Sequence, residues 1–368
     1  SIAPRAWYDH VCAALLAIGF VKSEYDNCVF YRPGLMLAQW VDDFCCVYET
    51  QEHMDKFVSD LREHGLNLTV EGTLAEFLGI KLERQQNNSF KLTQRGLIEK
   101  VLKAAEMSDC NPNSTPASPQ PLGMDPDGAP FNEKWKYSSI VGMLIYLSTN
   151  TRMDIGFAVS QVARFNHAPK QSHATAVKMI LRYLKGTIDQ GTILTPTGSL
   201  TFDLHCDGDF AGLYRYDPDT EPSSAKSRIG YVILLSGCPL VWKSQLLQSV
   251  ALSTTEVEYA ALSISLRTFI PLKYILQEMV SKLNFTTATT ITSRVFEDNA
   301  AAFLLATIQR LTSRTRYYHA QYHWFWQHYR NGLFTIEHIP TQDMLADGFT
   351  KAHPKQTFIH HRKKLQGW

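Results

Sequence analysis

The sequence predicts an α/β protein, and three observations carry the prediction. From residue 200 onward Leu200, Phe202, Leu204 and Cys206 alternate with polar residues, as a strand does, and strand-length apolar runs then interleave with helical ones. Between residues 137 and 184 the apolar spacing is helical throughout. Near the start, two apolar runs are separated only by Asp42-Asp43, the mark of a tight β-hairpin. Hydrophobic residues make up 45% of the 368 and aromatics 11%, which excludes a disordered chain. A net charge of +1 leaves nucleic-acid binding to local patches. Seven cysteines without a CxxC pair read as reduced thiols of an intracellular protein and exclude a zinc knuckle. Apolar runs are too short to span a membrane, so no membrane partner is expected.

Residues 7–19 read as a helix with Val11, Leu15 and Leu16 on one face and Gly19 as its C-cap. Runs 35–41 and 44–48 are the hairpin, 78–82 and 90–92 shorter strands, and 97–105 a helix. Residues 109–130 hold six prolines and little apolar periodicity, so a connecting segment is expected there. Three helices follow at 137–147, 153–165 and 173–184. Lys178, Arg182 and Lys185 stand at i, i+4 and i+7 of the last and form a cationic face suited to phosphates. Strands at 200–207, 229–235 and 240–242 precede helices at 254–269 and 272–283. A strand at 291–296, a helix at 300–306, a helix at 317–329, a strand at 333–339 and a helix at 343–350 complete the pattern. The resulting boundaries are 1–107, a linker 108–135, a helical segment 136–197, an α/β domain 198–352 and a basic tail 353–368.

Four acidic residues of the α/β domain, Asp207, Glu258, Asp298 and Asp347, stand where strands end or helices begin. Magnesium is a hard ion that prefers oxygen ligands, so carboxylates converging from separate elements suit it. Two such ions can clamp the attacking water and the leaving oxygen of a phosphodiester. Any one aspartate in such a place is more often a turn residue or a helix cap, and Asp298-Asn299 fits a cap well. Asp209 and Glu297 lie near the same positions and read as supporting or solvated residues. Ser253-Thr254-Thr255-Glu256 is a capping-box pattern, which gives Glu256 a local task and leaves Glu258 for the metal. His319 and His323 have a ligand-like i, i+4 spacing but no further ligand nearby in sequence.

The stretches CDGDFAG (206–212), LSTTEVEYAAL (252–262), VFEDNAAA (295–302) and IPTQDMLADGFTK (339–351) resemble the active-site segments of copia-type retrotransposon ribonuclease H domains. WVDDF (40–44) resembles the YVDD signature of reverse transcriptases. APRAWY, GFVKSEYDNCVF, FLGIKLE and LTQRGLIEKVL resemble the later part of copia-type polymerase domains, and YSSIVGMLIYL, TRMDIGFAV and ILRYLKGT the connection that follows. The chain is similar to the C-terminal part of a Pol polyprotein, and its opening without Met fits a fragment with the rest of the polyprotein upstream. The resemblance implies a polymerase palm and thumb remnant over 1–107, a helical connection, and a ribonuclease H-like domain with a mixed sheet. It implies two Mg2+ (or Mn2+) ions on Asp207, Glu258, Asp298 and Asp347, and a further metal pair on Asp42 and Asp43. The implied activity is hydrolysis of the RNA strand of an RNA–DNA hybrid, in the cytoplasm (virus-like particle) or the nucleus. The alternative is an inactive or repurposed fragment that binds nucleic acid without turnover. Trp40 stands where the family has Tyr, and Tyr317-Tyr318-His319 departs from the family's usual stretch. Oligomeric state is not written in the sequence.

Overall fold

A computed structural model of the chain describes residues 2–72, 74–214, 216–217, 224–283, 290–310, 315, 317–318 and 320–368. Two units follow from the packing, Ser1–Leu74 with Thr268–Ile291, and Ala75–Arg267 with Thr292–Trp368.

Helix α1 (Ile2–Ala17) opens the first unit and buries Val11, Ala14 and Leu15, which share one helical face. It ends at Gly19 as predicted, with φ at +87°. There the Phe20 amide donates to the Leu15 carbonyl and the Gly19 amide to that of Leu16, the paired bonds of a Schellman end. Strands β1 (Val21–Lys22), β2 (Val29–Arg32), β3 (Leu35–Trp40) and β4 (Asp43–Tyr48) form an antiparallel sheet in that order. The hairpin tip is Val41-Asp42, one residue earlier than expected, because Trp40 pairs with Asp43. Val41 adopts φ +55°, which is costly for a β-branched residue. Its carbonyl accepts from Trp7 Nε1 and Gln39 Nε2, at 3.0 Å each, and these bonds hold the turn. Thr50 caps helix α2 (Gln51–Glu63), and Phe57, Val58 and Leu61 complete a core with Phe30, Leu35 and Leu37. From residues 268–291, Glu278 accepts from Ser23 Oγ at 2.5 Å and the Glu24 amide at 2.9 Å, and Tyr274 stacks on Tyr25.

The second unit begins with β5 (Glu76–Phe77), β6 (Ile80–Arg84), β7 (Phe90–Thr93) and helix α3 (Arg95–Ala104). Helices α4 (Tyr137–Asn150), α5 (Gly156–Ala163) and α6 (Gln171–Gly186) follow, then β8 (Thr192–Leu194), which pairs with β7. The expected boundary at 107 is thereby corrected. The apolar face of α3, Ile98, Val101 and Leu102, packs on α4 and α6, and residues 75–104 belong with the helical segment. Residues 108–135 carry no helix or strand, yet Cys110, Ala117, Leu122 and Phe131 dock on that same core.

Strands β9 (Thr201–Asp209), β10 (Arg228–Leu235) and β11 (Cys238–Leu246) are antiparallel neighbours. Two expected helices, 254–269 and 272–283, are one: α7 (Thr254–Lys282) runs through Pro271. An internal proline costs about 3 kcal/mol. Burial of Phe269, Ile270 and Leu276 around it returns about 1.5–3 kcal/mol for each side chain, which exceeds the cost. β12 (Thr292–Glu297) and helix α8 (Ala300–Ile308) come next. The helix expected at 317–329 holds, among its described residues, α9 (Trp326–Arg330) and a 3-10 turn at Ala320–Tyr322. Its aromatic-rich sequence has weak helix propensity, and α7 takes its side chains instead, with Tyr259 Oη at 2.9 Å from His323 Nδ1 and Trp324 Nε1 donating to Ser263. β13 (Thr335–His338) precedes two 3-10 turns, Thr341–Asp343 and Leu345–Phe349, in place of the helix expected there. The expected basic tail is helix α10 (Lys355–Gln366), whose Leu365 packs with Met153, Val232 and Phe349.

The five-stranded sheet has the order β11-β10-β9-β12-β13, with β9, β12 and β13 mutually parallel, so the expected mixed sheet is present. Among the described residues no helix is long and apolar enough to cross a membrane.

Candidate functional site

Alternation along β9 turns Phe202, Leu204 and Cys206 to one face and Asp203, His205 and Asp207 to the other. Phe296 of β12 pairs with His205. Two residues further along both parallel strands, Asp298 follows β12 beside Asp207. Asn299 makes the cap of α8, accepting from the amides of Ala301 and Ala302, so the cap is not the task of Asp298. Glu258 arrives from the first turns of α7. Gly208 permits this approach: a Cβ there would meet Val257 Cγ1 at 2.7 Å and the Glu258 amide nitrogen at 3.1 Å. Asp207, Glu258 and Asp298 each offer an oxygen within 4.8 Å of the other two.

The fourth expected ligand, Asp347, sits in the turn Leu345–Phe349. That turn lies against β10 because Gly230 has no side chain; a Cβ would strike Phe349 Cβ at 2.6 Å. Thr350, just beyond the turn, donates its hydroxyl to Asp207 Oδ2. Asp347 itself is held by Lys351 Nζ, 2.5 Å from Oδ1, and groups with His353 and His361. The structure thus brings three of the four expected carboxylates into one cluster and the fourth into an adjoining one.

Burial dominates the electrostatics. It pushes the Asp207 carboxyl up to about 7, with Asp347 and Asp298 adding to the effect. Glu258 is pushed up to about 10 by burial and by Glu297, Asp207 and Asp298. Glu297, expected to be supporting or solvated, is fully buried and raised to about 8 by burial, then by Asp298 and Asp207. Its Oε1 accepts from the Asn299 amide at 3.0 Å, so it braces the end of β12. Asp209 is also raised by burial. Glu258 Oε2 is buried without a hydrogen-bond partner. An all-oxygen donor set with an orphaned carboxylate oxygen and mutually repelling charges fits a hard divalent cation such as Mg2+.

Glu256 has the local role expected of it. Ser253 Oγ accepts from the Glu256 amide at 3.2 Å, and Glu256 Oε2 accepts from the Leu252 amide at 2.8 Å, one residue earlier than a capping box predicts. Asp42 and Asp43 are exposed at the hairpin tip, and among the described residues they join no group of three metal-ligand side chains. Lys178 is spent on Glu133, at 2.5 Å, which leaves Arg182 and Lys185 of the expected cationic face. His319 lies outside the described residues. Sequence reasoning missed Gly208, Gly230, Thr350, His353 and His361, and it read Lys351 as a phosphate contact without its pairing to Asp347. Thr350 and Lys351 were within reach, since both close the segment that carries Asp347.

The profile of the family described as "Reverse transcriptase (RNA-dependent DNA polymerase)" matches residues 1–119. The Pol polyprotein of transposon RE1 from Arabidopsis thaliana is 29% identical over 99% of this chain and 24% of its own length. That of transposon TNT 1-94 from Nicotiana tabacum is 31% identical over 97% of this chain and 26% of its own length. An uncharacterized mitochondrial protein of Arabidopsis thaliana, AtMg00810, is 35% identical over 53% of this chain and 76% of its own length. The chain spans about a quarter of the length of the polyproteins it matches. Among solved structures, the N-terminal RNase H domain of rv2228c from Mycobacterium tuberculosis is 13% identical, with a TM-score of 0.25, over 45% of this chain and 98% of that one.

Proposed function

This chain belongs to the Pol polyprotein family of copia-type retrotransposons, and on that footing we propose that it hydrolyses the RNA strand of RNA–DNA hybrids. The single observation that carries the reading is the convergence of Asp207, Glu258 and Asp298 from a strand, a helix and a strand end to within 4.8 Å. These three residues, with Asp347 beside them, would hold two Mg2+ ions. Bound Mg2+ supplies a Lewis acid that activates water and neutralises charge on the phosphate. Thr350 fixes the rotamer of Asp207 through its hydroxyl. Gly208 sets the distance between Glu258 and β9, and burial shields Asp207 and Glu258 from bulk water while Asp298 stays partly exposed. Lys351 offsets the charge of Asp347 and stands near Asp207 and Asp209. Arg182 and Lys185 suit the hybrid's phosphate backbone, which is held by shape and not by base sequence. The products expected are a 3′ hydroxyl and a 5′ phosphate.

Cleavage of an end-labelled hybrid by the full chain in Mg2+ tests the proposal. Asp207→Asn and Asp298→Asn are each expected to reduce the rate by orders of magnitude while far-UV circular dichroism is unchanged. Near wild-type cleavage by either variant overturns the assignment. Binding of the hybrid without any turnover in the wild type would favour the repurposed fragment.

A further inference from the structure

We propose that Asp347, His353 and His361 form a binding site for a divalent transition ion, of which Zn2+ fits best. One ligand atom of each lies within 4.8 Å of the others. The His353 side chain is only 6% exposed, and its Nε2 lies 3.4 Å from Asp347 Oδ2 without making a hydrogen bond. His361 Nδ1 is likewise buried and unpartnered. The two rings stack with centroids 4.7 Å apart and planes at 27°. Buried polar groups are ordinarily paired, so two unpartnered ring nitrogens on residues grouped with a carboxylate call for a shared occupant.

Lys351 contacts Oδ1 of Asp347 and leaves Oδ2 on the histidine side. Two imidazole nitrogens and one carboxylate make a three-ligand set with an open fourth position. Nitrogen donors separate this site from the oxygen-only cluster of Asp207, Glu258 and Asp298, since imidazole suits zinc and its neighbours whereas Mg2+ takes oxygen. The site shares Asp347 itself with the proposed nuclease centre, so the two are told apart by their other ligands, His353 and His361 here and Asp207, Glu258 and Asp298 there.

The test is calorimetric Zn2+ titration of the full chain in excess Mg2+, which saturates the oxygen set, with Co2+ absorption as a spectroscopic check. The wild type is expected to take up about one Zn2+ at this site and to show the visible bands of low-coordinate Co2+. Loss of a residue that merely orients a ligand weakens metal sites by about 10–100-fold, so losing a ligand in H353Q or H361Q is expected to weaken Zn2+ by about 100-fold or more. Thermal melts confirm that both variants fold. D207N, which breaks the oxygen set, is expected to retain Zn2+, so loss of cleavage and loss of zinc are read separately. Zn2+ affinity unchanged in both histidine variants, or wild-type Co2+ without visible bands, overturns the proposal.

Discussion

Glu256 and Glu258 stand two apart on α7 and experience opposite surroundings. The first accepts the Leu252 amide and steadies the helix start; the second carries an orphaned oxygen into the carboxylate cluster. Glu256→Gln is therefore expected to cost at most about 1 kcal/mol, as caps do, and to keep hybrid cleavage. Without metal, burial and then Glu297, Asp207 and Asp298 keep the Glu258 carboxyl protonated, so Glu258→Gln replaces one neutral group by another and its melting temperature should equal or exceed that of the wild type. Its cleavage should fall by orders of magnitude. On the proposed function Mg2+ would bind only the folded cluster, so it is expected to raise the wild-type melting temperature, with a smaller rise in Glu258→Gln. Differential scanning fluorimetry with Mg2+ or EDTA, beside the cleavage assay, checks both variants; the reverse pattern would move the ligand to Glu256.

At the scale of elements, His173 shows how a stretch without secondary structure is fixed in place. Its Nδ1 accepts the Lys170 amide at the start of α6, and its Nε2 lies 2.9 Å from the Gly123 carbonyl in the proline-rich segment. Its ring is fully buried and stacked on Phe165 at 3.7 Å. Desolvation lowers its pKa below the ordinary 6.5, so the folded protein keeps it neutral where the unfolded chain would protonate it. The stability it contributes is present above about pH 6.5 and is lost as pH falls through the lower folded value. Thermal melts from pH 8 to pH 5 should show a steeper acid decline for the wild type than for His173→Gln; equal slopes would deny His173 this role. Local pattern revealed much of this level. Gly19 marked a helix end, Asn299 a cap, and the alternation through Cys206 the central strand with its carboxylate. Pro271 was opaque because tertiary burial outweighs a local breaker. The docking of α3 on α4 and α6 was opaque because an apolar face does not name its partner. Glu297 was left between a supporting and a solvated reading because its burial depends on strands far away in sequence, and the histidines of the proposed zinc site meet Asp347 only through the fold.

Across the whole molecule, each unit carries its own core, and the first is completed by residues from far along the chain. Glu278 anchors Ser23 and Glu24 with charge-assisted hydrogen bonds. Glu278→Ala is expected to destabilise that unit by about 1.5–3 kcal/mol while hybrid cleavage persists, as read by urea melts and the cleavage assay. A parallel decline in cleavage would show that the nuclease depends on the first unit. The parallel pairing of β9 with β12 also has a kinetic consequence. Arg294 meets Asp203 across 91 residues, whereas β9, β10 and β11 pair as sequence neighbours. Closing so long a loop comes late, because its entropy must be met before its contacts form. On this topology Asp298 is expected to join Asp207 and Glu258 only after the folding barrier. Mg2+ should accordingly slow unfolding in stopped-flow experiments while leaving the refolding rate close to its value in chelator. An equal acceleration of refolding would mean that the cluster forms before the barrier.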